Sequence, residues 1–140
     1  MGRHTWGKAA AGVVLAVAVA VVSGCGPEGK KPSPPSVTKA AAAFQDAVVE
    51  NASGSCTQEP GACWEQMTAV IQPARLLRKA MNADKNVSPE FWTEAYALIE
   101  KMEAGYAVGE DRGAGFNSNR PAVFGTAHDL SDWLDEHPTK

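Results

Sequence analysis

Histidine is scarce in this sequence, with three in 140 residues; cysteine is equally rare, and aromatic residues make up only 7%. One histidine, His4, lies at the extreme N-terminus, so the remainder of the chain has only His128 and His137 for proton transfer. No nucleophile elbow is present, and a Ser-His-Asp or Cys-His set would have to be assembled from residues without recognisable context, so the chain does not read as an enzyme. Basic residues are also few. Lys and Arg number 13 against 16 Asp and Glu, which excludes the electrostatic footprint of a nucleic-acid binder. No stretch alternates with the period of a β-strand, no internal repeat occurs, and no apolar run reaches the roughly 20 residues that a membrane-spanning helix needs.

The longest apolar run is Ala9–Val22, fourteen residues of Ala, Val and Leu with one Gly. It follows a short segment carrying Arg3 and Lys8 without an acid, and Gly24, Gly26 and Pro27 stop any helix from continuing. This is the n-region and h-region pattern of an export signal. The residues Val22-Ser23-Gly24-Cys25 that close it resemble the lipobox of bacterial lipoproteins, with Val22 where Leu is commoner. The resemblance implies cleavage between Gly24 and Cys25 and a diacylglyceryl anchor on the Cys25 thiol, with palmitate as a component. It also implies a location on the extracytoplasmic face of the bacterial cell membrane. Two acyl chains suffice for stable attachment, whereas one is marginal. Ordinary secretion, with Cys25 a free thiol, is the plainer alternative.

The chain therefore divides into a signal peptide over 1–24, an anchoring cysteine and Pro-rich tether over 25–36, and a domain over 37–140. Loss of Arg3 and Lys8 leaves 11 bases against 16 acids, a net charge of −5 from Cys25 onward. In polyproline geometry, at about 3.1 Å per residue, residues 26–36 reach up to ~35 Å. Lys30 and Lys31 would lie near anionic headgroups. Once Cys25 is used for lipid, Cys56 and Cys63 remain as an even pair in an oxidising compartment, which favours a disulfide over a redox or metal pair. It closes an eight-residue loop, worth roughly 2.5 kcal/mol by chain entropy.

Four segments of the domain carry a helical period. Thr38 can cap the first, whose apolar face is Ala40, Ala41, Phe44, Ala47 and Val48. The second starts near Pro60 and aligns Cys63, Met67, Val70, Ile71, Ala74, Leu77 and Met81, with Pro73 either kinking it or splitting it in two. Ser88, Pro89 and Glu90 signal the third start, with Val87 stapled to Trp92 and a face of Phe91, Ala95, Leu98, Ile99, Met102 and Tyr106. A Gly-rich connection over 109–119, read as flexible, leads to a fourth helix from Ser118 or Asn119 to Pro138, with Val123, Ala127, Leu130 and Leu134 inward. The fold class is all-α: an up-and-down bundle of four helices, or five if Pro73 splits the second.

Up-and-down connectivity places Trp92 and Trp133 at the tether end and Trp64 at the far end. Each falls on the flank of a core stripe, suited to half-burial. Packing at the bundle ends is the plainer reading of these tryptophans; the alternative makes them, with Phe116 in the Gly-rich loop, the candidate binding surface for an envelope protein partner, or a Trp-lined groove for a small ligand. Asp129, Asp132, Asp135 and Glu136 oppose the dipole of the fourth helix, and Arg75, Arg78, Lys79 and Lys85 are the expected compensating group. His128, Asp132 and Asp135 share a helical face but supply too few converging ligands for a metal, so no metal or cofactor is expected.

Overall fold

The computed structural model describes residues 33–53 and 55–138; the expected signal peptide, Cys25 and most of the expected tether lie outside them. The described chain forms four α-helices: α1 (Val37–Asn51), α2 (Trp64–Ala83), α3 (Thr93–Tyr106) and α4 (Thr126–Glu136). A 3-10 turn, Pro89–Trp92, leads into α3, and a turn of π-helical geometry, Pro121–Gly125, leads into α4. Among the described residues there is no strand, and no helix is long and apolar enough to cross a membrane.

The helices run up and down around a square. α1 packs on α2 and α4, and α3 packs on the same two neighbours from the opposite corner. Phe44, Ile71, Leu77, Met81, Trp92, Ile99, Met102 and Leu130 are fully buried in one cluster. Side chains of this size contribute about 1.5–3 kcal/mol each through burial. Every apolar position expected on α2 from Met67 to Met81, and Val123, Ala127, Leu130 and Leu134, is buried.

Two local expectations are corrected, and one open alternative is decided. Ser36 rather than Thr38 caps α1, its hydroxyl accepting the Lys39 amide at 3.4 Å. Pro73 does not divide α2, which runs unbroken from Trp64 with Cys63 at its N-cap, so the bundle has four α-helices. The third start is a 3-10 turn without a side-chain cap from Ser88. With three residues per turn instead of 3.6, this entry changes the phase of the helix. Trp92 therefore turns inward and is 1% exposed, while Phe91, expected in the core, is 37% exposed.

At the opposite end of α3, Gly105 is buried against the π-turn. A Cβ there would stand 2.7 Å from Ala122 Cβ and 3.1 Å from Val123 Cγ2. Only glycine permits this approach of α3 to the segment that opens α4. Gly105→Ala should destabilise the domain by about 1–3 kcal/mol through overpacking, read as a lower urea midpoint at unchanged m-value. An unaltered midpoint would mean that α3 and the π-turn can separate freely.

Candidate functional site

The end of the bundle opposite Val37 holds two irregular segments, 55–63 before α2 and 107–120 between α3 and the π-turn. Glycine permits the reversal after α3: Gly109, at φ 80°, donates its N–H to the Tyr106 carbonyl. Asn119, buried, then fastens the loop to the helix end. Its amide donates to the carbonyls of Gly105 and Glu110, both at 2.9 Å, and its Oδ1 accepts the Arg112 N–H at 3.1 Å.

Asp111 is the centre of this end. Its side chain is fully buried, and each carboxylate oxygen accepts two hydrogen bonds. Oδ1 accepts from Arg120 Nε at 2.8 Å and Gly113 N at 3.0 Å; Oδ2 accepts from Arg120 Nη2 at 2.9 Å and Cys63 N at 2.7 Å. The Arg120 fork is bidentate on the carboxylate, the geometry in which such pairs are strongest. Its remaining N–H groups reach the other segment, Nη1 donating to the Thr57 carbonyl at 2.7 Å and Nη2 to the Glu59 carbonyl at 2.8 Å. Ala114 N donates to the Gln58 carbonyl and Gly61 N to the Asp111 carbonyl, both at 2.9 Å.

The contact between the segments is close. Gly113 adopts φ 74°, and a Cβ on it would stand 2.7 Å from the Gln58 carbonyl oxygen and 2.9 Å from Pro60 N. Cys56 and Cys63 form a disulfide with a Cα–Cα distance of 5.4 Å, closing the segment that offers these carbonyls. The 109–119 connection, expected to be flexible from its glycines, is thus cross-bonded to a disulfide-closed loop. One sequence signal was available: Asp111, Asn119 and Arg120 flank Gly113 and Gly115, and each can make several directed hydrogen bonds at once.

The predicted aromatic surface separates into three environments. Trp92 and Trp133 do meet at the tether end, centroids 6.1 Å apart, but both are buried and belong to the core. Trp133 donates its indole N–H to Glu94 Oε2 at 3.1 Å and stacks on His137 at 4.2 Å. The expected half-burial fails for this pair, because the 3-10 turn swings Trp92 inward and Trp133 fills the space beside it. Trp64 lies at the far end, partly buried, stacked at 4.6 Å on Tyr106. Phe116 alone of the four is fully exposed. Beside its loop lies an open apolar hollow of about 350 Å³, lined by the disulfide, Ala114, Gly115, Pro121 and Phe124.

The charge pairing expected between α2 and α4 is also corrected. Arg75 pairs with Glu103 at 3.3 Å, and Arg78 with Glu100 at 2.9 Å and Glu103 at 3.6 Å, all acids of α3. The α2 bases and α4 acids do approach the same end, but α2 and α4 occupy diagonal corners of the square, and α3 lies next to both. Asp135 instead accepts from Gln45 Nε2 of α1 at 2.7 Å. His128 Nε2 lies 3.1 Å from the Ala52 carbonyl, and among the described residues no His, Cys, Asp and Glu side chains converge as a metal set.

The hydrogen bonds from the Arg120 guanidinium, reinforced by those from the Cys63 and Gly113 amides, hold the Asp111 carboxyl down at about 2 in spite of its burial. Because its folded pKa lies below its unfolded value near 3.8, Asp111 contributes stability that is fully present above about pH 5. That contribution is lost as pH falls through 3.8 toward 2, and amounts to roughly 2 kcal/mol. Asp111→Asn should cost about 3–5 kcal/mol at pH 7 by leaving Arg120 without its counter-charge, and should flatten the loss of stability between pH 5 and pH 2. Urea denaturation across that range measures both; equal acid slopes for the two proteins would assign the pH dependence to other carboxylates.

Comparison with protein-family models, curated proteins and solved structures finds no match, so the functional reading rests on the chain's own residues and geometry.

Proposed function

We propose that the chain is a lipid-anchored extracytoplasmic module that acts by contact with an envelope protein, through the end of its bundle opposite the tether. The anchor side of this reading rests on the lipobox-like Val22-Ser23-Gly24-Cys25 and the Pro-rich segment after it. The contact side rests on one observation: Phe116 is fully exposed on a loop that a buried ion pair and a disulfide-closed segment hold in place. A slack loop could fold such a ring against the nearby hollow. Here the backbone on both sides is fixed, since Ser118 Oγ donates to the Gly113 carbonyl at 2.6 Å and Gly113 is pinned on Gln58. The aromatic surface is therefore held in water, where removing it from solvent against a partner is favourable, and aromatic side chains commonly anchor such contacts.

A non-catalytic role fits the same geometry. His128 and His137 are each engaged with a backbone carbonyl, Ala52 and Trp133 respectively, rather than with a nucleophile. Placement of a contact surface at the tether-distal end suits a protein that must reach beyond its own membrane, with roughly 35 Å of tether beneath it.

Two measurements check the proposal. A photo-crosslinking amino acid at position 116, in cells producing the full chain, should give a discrete higher-mass adduct that the same group at exposed Val49 does not. Equal labelling from both positions would remove the case for a partner at Phe116. Cys25→Ala should leave the precursor uncleaved and unlabelled by palmitate, and persistent labelling would contradict the anchor.

A further inference from the structure

We propose that the Cys56–Cys63 disulfide is a redox clasp for the Phe116 loop: oxidised, it holds the loop in its contact-ready form; reduced, it releases the loop while the four helices stay folded. The consequence for partner contact rests on the reading of Phe116 given above, whereas the clasp itself is a property of the two loops.

Three observations lead here. The disulfide-closed segment lies between α1 and α2 and contains no helix, so its position depends on the cross-link and on its bonds to the second loop. That segment supplies the seat of the Phe116 loop: the carbonyls of Thr57, Gln58 and Glu59 accept from Arg120 and Ala114, and Cys63 N donates to Asp111. The bond is also reachable. Cys63 is buried, but Cys56 is only partly so, and both line the open hollow beside the loop.

The chemistry balances with an external dithiol as reductant. A thiolate of the dithiol attacks the sulfur of Cys56, the less buried of the two residues, and Cys63 departs as a thiolate that takes up a proton. The second thiol of the reductant then attacks the mixed disulfide and releases Cys56 as a thiol. Two electrons pass to the protein, and the reductant leaves as its own disulfide. Removing the cross-link restores chain entropy to the 56–63 segment and raises the population in which its carbonyls leave Arg120 and Ala114.

Limited proteolysis of the full chain with chymotrypsin tests this, because cleavage after Phe116 requires the loop to open locally and lie extended in the protease. With excess dithiothreitol, cleavage at Phe116 should accelerate roughly 10- to 100-fold. Helical circular dichroism should be retained, and no cleavage should appear after buried Phe44. The Cys56→Ser/Cys63→Ser double variant, kept free of reductant, should reproduce the fast cleavage and so separate the clasp from any side effect of the thiol. An unchanged rate at Phe116 in fully reduced protein would overturn the proposal. Equally contrary would be loss of helicity with cleavage at Phe44, which makes the bond a global staple, or a disulfide that stays intact until the helices unfold. None of these outcomes depends on a partner or on lipid, so they stand apart from failure of the crosslinking or palmitate measurements.

Discussion

The ion pair between Asp111 and Arg120 is the constraint on which the end of the bundle opposite Val37 depends. A buried carboxylate is costly unless its lone pairs are satisfied, and the partly buried Arg120 guanidinium likewise needs acceptors. Here the two groups satisfy one another in bidentate geometry, and the rest of their capacity is spent on backbone: Asp111 on the amides of Cys63 and Gly113, Arg120 on the carbonyls of Thr57 and Glu59. Loss of one charge therefore does not remove a single contact. It leaves unpaired polar groups on two separate segments at once, which makes the end cooperative where loops are ordinarily independent.

The helical framework positions that pair. Asn119 ties the loop to the end of α3 through the Gly105 carbonyl, and the absence of a side chain on Gly105 lets the π-turn lie against α3. Arg120 is then delivered at the entry to the turn, within reach of a carboxylate nine residues earlier. The α2 N-terminus contributes the Cys63 amide, one of the donors that a helix start leaves without an intrahelical partner, and Asp111 occupies it as an acidic group should.

Much of the framework was legible in the sequence, because burial of whole faces leaves a periodic trace. The α2 stripe from Met67 to Met81 and the Val123, Ala127, Leu130 and Leu134 stripe both lie in the core at the expected spacing. The disulfide followed from cysteine arithmetic. What the sequence obscured was phase, adjacency and loop order. The 3-10 turn at Pro89–Trp92 exchanges the expected roles of Phe91 and Trp92, since a propensity argument sees a helix start there but not its pitch. The α2 bases meet Glu100 and Glu103 of α3 because connectivity tells which ends coincide, not which corners of the square are adjacent. Glycine content suggested slackness at 109–119, yet Gly113 is there because the Gln58 carbonyl leaves no room for a Cβ. Its partners are backbone atoms of a distant segment, which no side-chain pattern encodes.

The central claim is that two loops are held as one unit around Asp111, and native-state hydrogen exchange addresses it residue by residue. The amides of Gly61, Cys63, Gly113 and Ala114, drawn from both segments, should be protected and should share one opening free energy distinct from that of the α1–α4 core. If those four amides exchange at the rate of open chain while the helices remain protected, the loops are independent and the account is wrong.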